Sequence, residues 1–119
     1  MVYHNTIPFG APSQLRLQVT VDAQGVAHLA VWDPFDKPLG NLKNMEVPVP
    51  ALQQLLSETP QPVVGRNGEA FVEIKAGHDE HHMTYDIHYE DPDKWSKGDN
   101  TLEISDMKEL LQALSTVSA

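Results

Sequence analysis

The segment AGHDEHHMTYDIHYEDPD, residues 76–93, concentrates side chains that can bind metals or transfer protons. It holds four of the six histidines and six of the seventeen acidic residues of the chain. The histidines are His78, His81, His82 and His88, and the acids are Asp79, Glu80, Asp86, Glu90, Asp91 and Asp93. Imidazole and carboxylate groups are zinc ligands and also act as general acids and bases. This segment is therefore the main candidate for a functional site.

The spacing within the segment does not build a metal site by itself. Period-two alternation predicts a strand over residues 83–90 with Tyr85 inward, so that His82, Asp86 and His88 point outward. Side chains two residues apart on one face of a strand are separated by about 7 Å. One ion cannot be reached by all three of these groups unless neighbouring strands contribute.

Residues outside this strand decide whether a metal site could be completed. Neighbouring strands carry residues such as Glu73 and Lys75, which would have to complete the set of metal ligands or would prevent it from forming. His78 and His81 fall in a loop without fixed geometry. A zinc site needs three or four ligands at about 2.0–2.3 Å. We therefore expect no bound metal and no cofactor. A small metal-dependent enzyme that uses His78, His81, His82 and His88 stays open as an alternative.

No other catalytic motif is present in the sequence. HDEHH differs from the H-E-x-x-H zinc-protease motif, and the chain contains no P-loop, no G-x-G-x-x-G and no G-x-S-x-G. No nucleophile, base and orienting group are assembled by spacing. We therefore predict no catalytic residue and expect a protein that is not an enzyme.

The charge of the chain restricts its partners. The net charge is −9, with five acidic and three basic residues in residues 1–60, and twelve and five in residues 61–119. Nucleic-acid binding needs a basic patch, so this balance argues against it. An acidic surface instead attracts a basic protein partner.

Cysteine content and hydropathy bear on the compartment. The chain has no cysteine, which is typical of a reducing environment, and it has no apolar run long enough for a membrane span. Residues 1–14 lack the basic and apolar stretches of a signal peptide. We expect a cytoplasmic protein that does not bind a membrane.

The first clear element is a hairpin. Leu17 and Val19 alternate with polar residues, and DAQG follows with Gly25 placed for a left-handed turn residue. A three-residue loop then pairs Leu17 with Val31, Val19 with Leu29, and Arg16 with Trp32. The Arg16 and Trp32 side chains are expected to stack.

The two halves of the chain follow a similar order of elements. AHLAVWDP (27–34) aligns with YDIHYEDP (85–92), and MEV (45–47) with LEI (102–104). Helices are predicted over PALQQLLSE, with Leu52, Leu55 and Leu56 on one face, and over MKELLQALSTV. Two β-β-β-α pseudo-repeats, residues 13–59 and 69–117, are therefore predicted after an extended N-terminal arm, residues 1–12.

These elements predict an α+β fold. We expect a single domain, residues 1–119, with an antiparallel sheet of five or six strands and two helices packed on one face. The other face of the sheet would be partly solvated, because the polar alternates of each strand point there.

Aromatic residues in the two D-P loops suggest a function. Trp32, Phe35 and Trp95 lie in or beside otherwise polar loops, where they either fold back over the core or anchor a partner. Small size, acidity and the lack of a motif are also the profile of immunity proteins against bacterial toxins and of phage-encoded inhibitors, a likeness of composition alone. We therefore expect an inhibitor or antitoxin-like protein that covers the active site of a basic effector enzyme such as a nuclease. The predicted contact residues are Asp79, Glu80, Asp86, His88, Glu90, Asp91, Asp93, Trp95, Trp32 and Phe35.

Two other binding roles remain open at this level. An acidic secretion chaperone fits the size and charge, although the sequence lacks a convincing N-terminal helix. A homodimer formed by pairing of exposed edge strands is also open.

Overall fold

The computed structural model describes residues 3–9, 15–78, 83–94 and 96–117, and it is a closed barrel of eight antiparallel strands in chain order. The strands are β1 (Tyr3–Phe9), β2 (Leu15–Val21), β3 (Val26–Trp32), β4 (Met45–Pro48), β5 (Val63–Asn67), β6 (Ala70–His78), β7 (Met83–Asp91) and β8 (Ser96–Leu102). Helix α1 (Val49–Gln53) continues as a 3-10 turn (Gln54–Leu56), and helix α2 (Ile104–Val117) follows β8.

The predicted α+β fold is wrong. Strands make up 53% of the described residues, and they close into a barrel instead of forming an open sheet of five or six strands with helices on one face. The prediction missed two strands: β1, which lies in the predicted extended arm, and β5, which lies between the two predicted pseudo-repeats. It also missed most of β8, because the second predicted D-P loop, DPDKWSKGDN (91–100), covers residues 96–100.

The predicted first hairpin is confirmed in its register. Leu17 pairs with Val31 and Val19 with Leu29, and Gly25 adopts a φ of 79° at the turn. Arg16 also pairs with Trp32 in register. Its guanidinium donates to the Asp33 carbonyl at 3.2 Å and pairs with the Asp36 carboxylate, so it binds the following loop.

The β5–β6 hairpin depends on one glycine. Asn67 pairs with Ala70, which leaves a two-residue loop of Gly68 and Glu69, and Gly68 has a φ of 62°. A two-residue hairpin loop favours glycine at this first position, because a left-handed residue there matches the twist of the strands. The nearby prolines hid this signal in the sequence.

The element order is four strands followed by a helix, twice. The two groups of four strands join at two narrow seams, where the described pairs are Glu46 with Arg66 between β4 and β5, and Phe9 with Leu102 between β1 and β8. The sequence offset places β3 over β7 and α1 over α2. The duplication itself stays a prediction.

Each seam has a glycine beside it. A Cβ on Gly65 would lie 3.0 Å from Val47 Cγ2 and 3.2 Å from Met45 Cβ, so β4 and β5 approach closely there. A Cβ on Gly98 would lie 2.6 Å from the Tyr89 hydroxyl, because the Tyr89 ring lies across β8 and meets Phe9 edge-on at 6.3 Å between centroids. Glycine at these positions permits the close approach that closes the barrel.

The inward side chains of the strands and the helices form one core. The helix residues that enter it are Val49, Leu52, Leu55, Met107, Leu110, Leu111 and Leu114. Leu56, predicted on the buried face of α1, is 41% exposed. The chain tightens to a 3-10 turn from Gln54, and the changed residues per turn rotate Leu56 outward.

The β3–β4 loop is fastened to two other strands. Asp91, at the end of β7 and 1% exposed, accepts a 2.6 Å hydrogen bond from the Asn41 backbone N–H. Asn67, at the end of β5, donates to the carbonyls of Asn41 and Lys43 at 3.2 and 3.0 Å. These bonds hold the loop against the barrel, and Leu42 enters the core.

We expect Asp91→Ala to destabilise the protein by about 2 kcal/mol, because it removes a buried carboxylate and leaves the partly buried Asn41 N–H without its acceptor. Urea unfolding measures the change, and hydrogen exchange of Asn41 should accelerate. Asp93→Ala is the matched control at an exposed neighbouring carboxylate and should cost less than about 0.5 kcal/mol. Equal stability of the two variants would contradict the anchoring role of Asp91.

Candidate functional site

A cleft of about 350 Å³ lies on the outer face of β6, β7 and β8. Its lining comes from all three strands: Glu73, Lys75, Asp86, Ile87, His88, Asp99, Asn100 and Thr101. This volume is within the range of pockets that receive a ligand or a partner side chain, about 300–1,000 Å³.

The strand register builds the cleft in two rows. Glu73, His88 and Asp99 face one another across the three strands. Side chains directly opposite on antiparallel strands lie about 5 Å apart, so the members of a row interact. These residues point outward because Ile87 and its alternates Tyr85 and Tyr89 fill the core.

The second row lies one step further along the strands. It consists of Lys75, Asp86 and Thr101, and the Thr101 hydroxyl donates to Asp86 at 3.4 Å. Lys75 is the only cation among the residues that line the cleft, against the carboxylates of Glu73, Asp86 and Asp99. The formal charge of the lining is therefore −2 with histidine neutral.

His88 is the most connected side chain of the cleft. Its Nδ1 lies 2.6 Å from Asp99 Oδ1, and its Nε2 lies 3.5 Å from Glu90 Oε1. Its ring also meets Phe71 at 5.8 Å between centroids, and the Arg66 guanidinium covers Phe71 at 5.1 Å from the ring centre. The imidazole is therefore fixed between carboxylates and an aromatic ring.

The chemistry of the cleft favours recognition of a cation. Among the described residues, no three histidines and acids stand close enough together to hold a metal ion. The carboxylates of Glu73, Asp86 and Asp99 come from three strands and converge on an open concave surface. Such an arrangement can accept hydrogen bonds from an ammonium or guanidinium group.

The structure brings together some of the predicted contact residues and not others. Asp86, His88 and Glu90 share the outer face of β7, while Asp91 is buried under the β3–β4 loop and Asp93 is exposed in the turn after β7. The predicted residues Asp79, Glu80 and Trp95 lie outside the described part of the chain, as do His81, His82 and the side chain of His78.

Trp32 and Phe35 lie on a different side of the barrel. The turn that carries Phe35 is tied to β2 through the Arg16–Asp36 ion pair, and β2 and β3 stand opposite β6 and β7 in the circle of eight strands. Phe35 is 81% exposed, whereas the Trp32 side chain is partly buried. The predicted surface of acids and aromatics is thus divided between two faces.

Sequence reasoning missed the β8 side of the cleft. Asp99 and Thr101 lie in a segment that was assigned largely to a loop, although its alternate residues Lys97, Asp99 and Thr101 are exposed along a strand. Glu73 and Lys75 were named only as neighbours of the outer face of β7. The sequence of this segment gave no signal of a strand, because Ser96, Gly98 and Asn100 at its inward positions are not apolar.

A second histidine cluster lies near the β2–β3 turn. His28 Nε2 lies 2.9 Å from Asp22 Oδ2, its Nδ1 lies 2.8 Å from Asn44 Oδ1, and Glu46 Oε1 is 3.9 Å away. The hydrogen bond to Asp22 raises the pKa of His28, and the Asn44 bond adds to this against the opposing effect of burial. The same His28 bond lowers the pKa of Asp22. Both ring nitrogens face oxygen acceptors, so the imidazolium satisfies both.

Two core tyrosines are held neutral. Burial raises the pKa of Tyr85, and burial together with the negative charge of Asp99 raises the pKa of Tyr89. Within the described part of the chain, the Tyr85 hydroxyl has no hydrogen-bond partner.

Comparison of the chain with protein-family models, with curated proteins and with solved structures gives no match. In the described parts of the molecule, neither helix has the length and apolar character needed to cross a bilayer.

The His28–Asp22 pair should make stability depend on pH with a defined sign. The raised pKa of His28 means that its contribution is fully present below the ordinary value of 6.5 and is lost as pH rises through the folded pKa. The lowered pKa of Asp22 means that its contribution is present above 3.8 and is lost as pH falls through the folded pKa.

His28→Gln should therefore reduce the free energy of unfolding more at about pH 5.5 than at about pH 9. Asp22→Asn should follow the same course, and the coupling between the two variants in a double-mutant cycle should shrink at the higher pH. Urea unfolding at both pH values supplies the cycle. A pH-independent coupling would contradict a charged pair.

Proposed function

We propose that this protein is a protein-binding module that neutralises a basic effector enzyme by covering its active site. The cleft on β6–β8 is the proposed contact surface. The observation that supports this function best is that three carboxylates from three strands line one open cleft of about 350 Å³.

The charge of the protein supports a basic partner both during approach and at contact. During approach, the net charge of −9 attracts a basic protein. Most of the acidic excess lies in residues 61–119, which form β5–β8 and α2. Complementary charge accelerates association and disfavours acidic competitors. At contact, Glu73, Asp86 and Asp99 would accept hydrogen bonds from an arginine or lysine of the partner.

The stiffness of the cleft also supports binding. Asp86, His88 and Asp99 stand on paired strands, and Asp99 is held by a 2.6 Å contact with His88. Groups that are already fixed lose less conformational entropy on binding. Enzymes that act on polyanions such as nucleic acids bind them with basic surfaces, and a rigid acidic cleft competes for the same groups.

The proposal is tested by reversing the charge of the cleft. The double variant Asp86→Lys/Asp99→Lys should weaken binding of the partner at least about tenfold, because attraction becomes repulsion at contact. Partners are captured from cells of the source organism with wild-type protein and purified. Calorimetry then gives the dissociation constant, and the activity of the captured enzyme is assayed with and without the protein.

Glu58→Lys/Glu109→Lys is the matched control. It makes the same change in net charge at two exposed residues outside the cleft. We expect it to keep most of the affinity, and we expect the captured partner to be a basic enzyme that wild-type protein inhibits. Equal losses of affinity in both double variants would mean that net charge, and not the cleft, attracts the partner, which would contradict the proposed contact surface. Unchanged affinity of the Asp86→Lys/Asp99→Lys variant would refute the proposal.

A further inference from the structure

The His88 ring forms part of the wall of the cleft on β6–β8. Its Nδ1 lies 2.6 Å from Asp99 Oδ1 and its Nε2 lies 3.5 Å from Glu90 Oε1, so both nitrogens at the ring edge already face carboxylates. Phe71 packs on the ring at 5.8 Å between centroids. Among the described residues, His88 lines the cleft and Phe71 does not, so the cleft lies on the side of the ring away from Phe71. A ligand in the cleft therefore meets a flat aromatic surface that is held in place.

The carboxylates of the cleft are spread around this ring. Glu73 and Asp99 lie on either side of His88, on strands that are two strand spacings apart, about 10 Å. Lys75 lies opposite Asp86 in register, so Asp86 has a cation of this chain beside it. Among the described residues, no three acids and histidines come close enough together to surround one metal ion. Glu73 and Asp99 therefore remain as acceptors that are far apart for a compact cation.

The shape of a cation decides whether it can use both acceptors. An ammonium nitrogen reaches two oxygens only if they lie within about 6 Å of each other, since each hydrogen bond is about 2.9 Å long. A guanidinium group carries five N–H donors on three nitrogens in one plane, so it reaches acceptors that are further apart. Its plane also packs on aromatic rings, whereas an ammonium group is strongly hydrated. The spread carboxylates and the His88 ring thus both favour a guanidinium group.

The same face of the barrel already holds one guanidinium group on an aromatic ring. Arg66 on β5 covers the Phe71 ring on β6 at 5.1 Å from the ring centre, and the two residues pair in register. Phe71 in turn meets His88 on the next strand. The outer face of these strands therefore has the room and the ring geometry that a stacked guanidinium group needs.

We infer that His88 is a specificity-determining residue of the cleft and that it selects an arginine side chain over a lysine. The arginine guanidinium packs on the His88 ring and donates hydrogen bonds to Glu73 and Asp99. This inference rests on the proposed function, because it takes the cleft as the place that receives a basic side chain of the partner. It adds that the partner is a protein whose contact surface projects an arginine.

Titration with two peptides of equal length and charge, nona-arginine and nona-lysine, tests the selection. Amide chemical shifts on β6, β7 and β8 at low salt give both dissociation constants. His88→Gln removes the ring but keeps an amide that can donate to Asp99. The preference for nona-arginine should be about fivefold greater in wild-type protein than in this variant, which is the effect expected of one stacked cation. His88→Phe keeps a ring without donors and should retain the wild-type preference.

His4→Gln is the matched control, because it makes the same change at an exposed histidine on β1, outside the cleft, and it should leave the preference unchanged. Circular dichroism and thermal unfolding check that every variant is folded. An equal preference in wild-type protein and His88→Gln, or its loss in His88→Phe, would overturn selection by the ring, while binding at β6–β8 would still support the proposed contact surface. Peptide-induced shifts that lie outside β6–β8 would contradict the proposed contact surface as well.

Discussion

Closure of the barrel at its two seams is the constraint on which the rest of the structure depends. Gly65 lets β4 and β5 approach, because a Cβ there would meet Val47 and Met45. At the other seam, the Tyr89 ring lies over Gly98 and reaches Phe9, so that aromatic packing replaces a longer ladder of strand pairs. Without closure, the inward residues of eight strands would not share one core, and their outward residues would not have fixed neighbours.

Side chains alternate between inward and outward positions on these strands, and the register of the strands decides which outward side chains lie next to one another. Two different outer faces result. Around β6–β8 the outward positions place Glu73, His88 and Asp99 in one row, and the acidic cleft follows. Around β1–β3 the outward positions hold Arg16, which is paired with Asp36, and His28, which is bonded to Asp22 and Asn44.

Local sequence signals were sufficient for the first hairpin and for the positions of both helices. Turn chemistry at Gly25 and apolar alternation agreed there, and the register followed correctly. The sequence could not reveal β8 in full, because its inward positions are Ser96, Gly98 and Asn100, and Gly98 is covered by the Tyr89 ring from another strand. A strand whose inward face is filled by its neighbour has no apolar alternation of its own.

The missed strands also explain why the candidate site was only half predicted. The outward set of β7 followed from alternation, but its partners on β8 depend on a pairing that local sequence does not encode. The same limit grouped Phe35 with the acids of β7, since a D-P dipeptide follows β7 as another follows β3. Only the circular order of the strands shows that Phe35 and the acids of β7 lie on different sides of the barrel.

The central claim is that the β6–β8 cleft recognises basic groups of a protein partner. Titration of isotope-labelled protein with a nona-arginine peptide, followed by amide chemical shifts at low and moderate salt, tests it most directly. We expect the shifts to cluster on the amides of β6, β7 and β8, with the largest changes around His88 and Asp99, and to diminish with salt. Shifts that centre on β1–β3, or that spread evenly over the acidic surface, would contradict the claim.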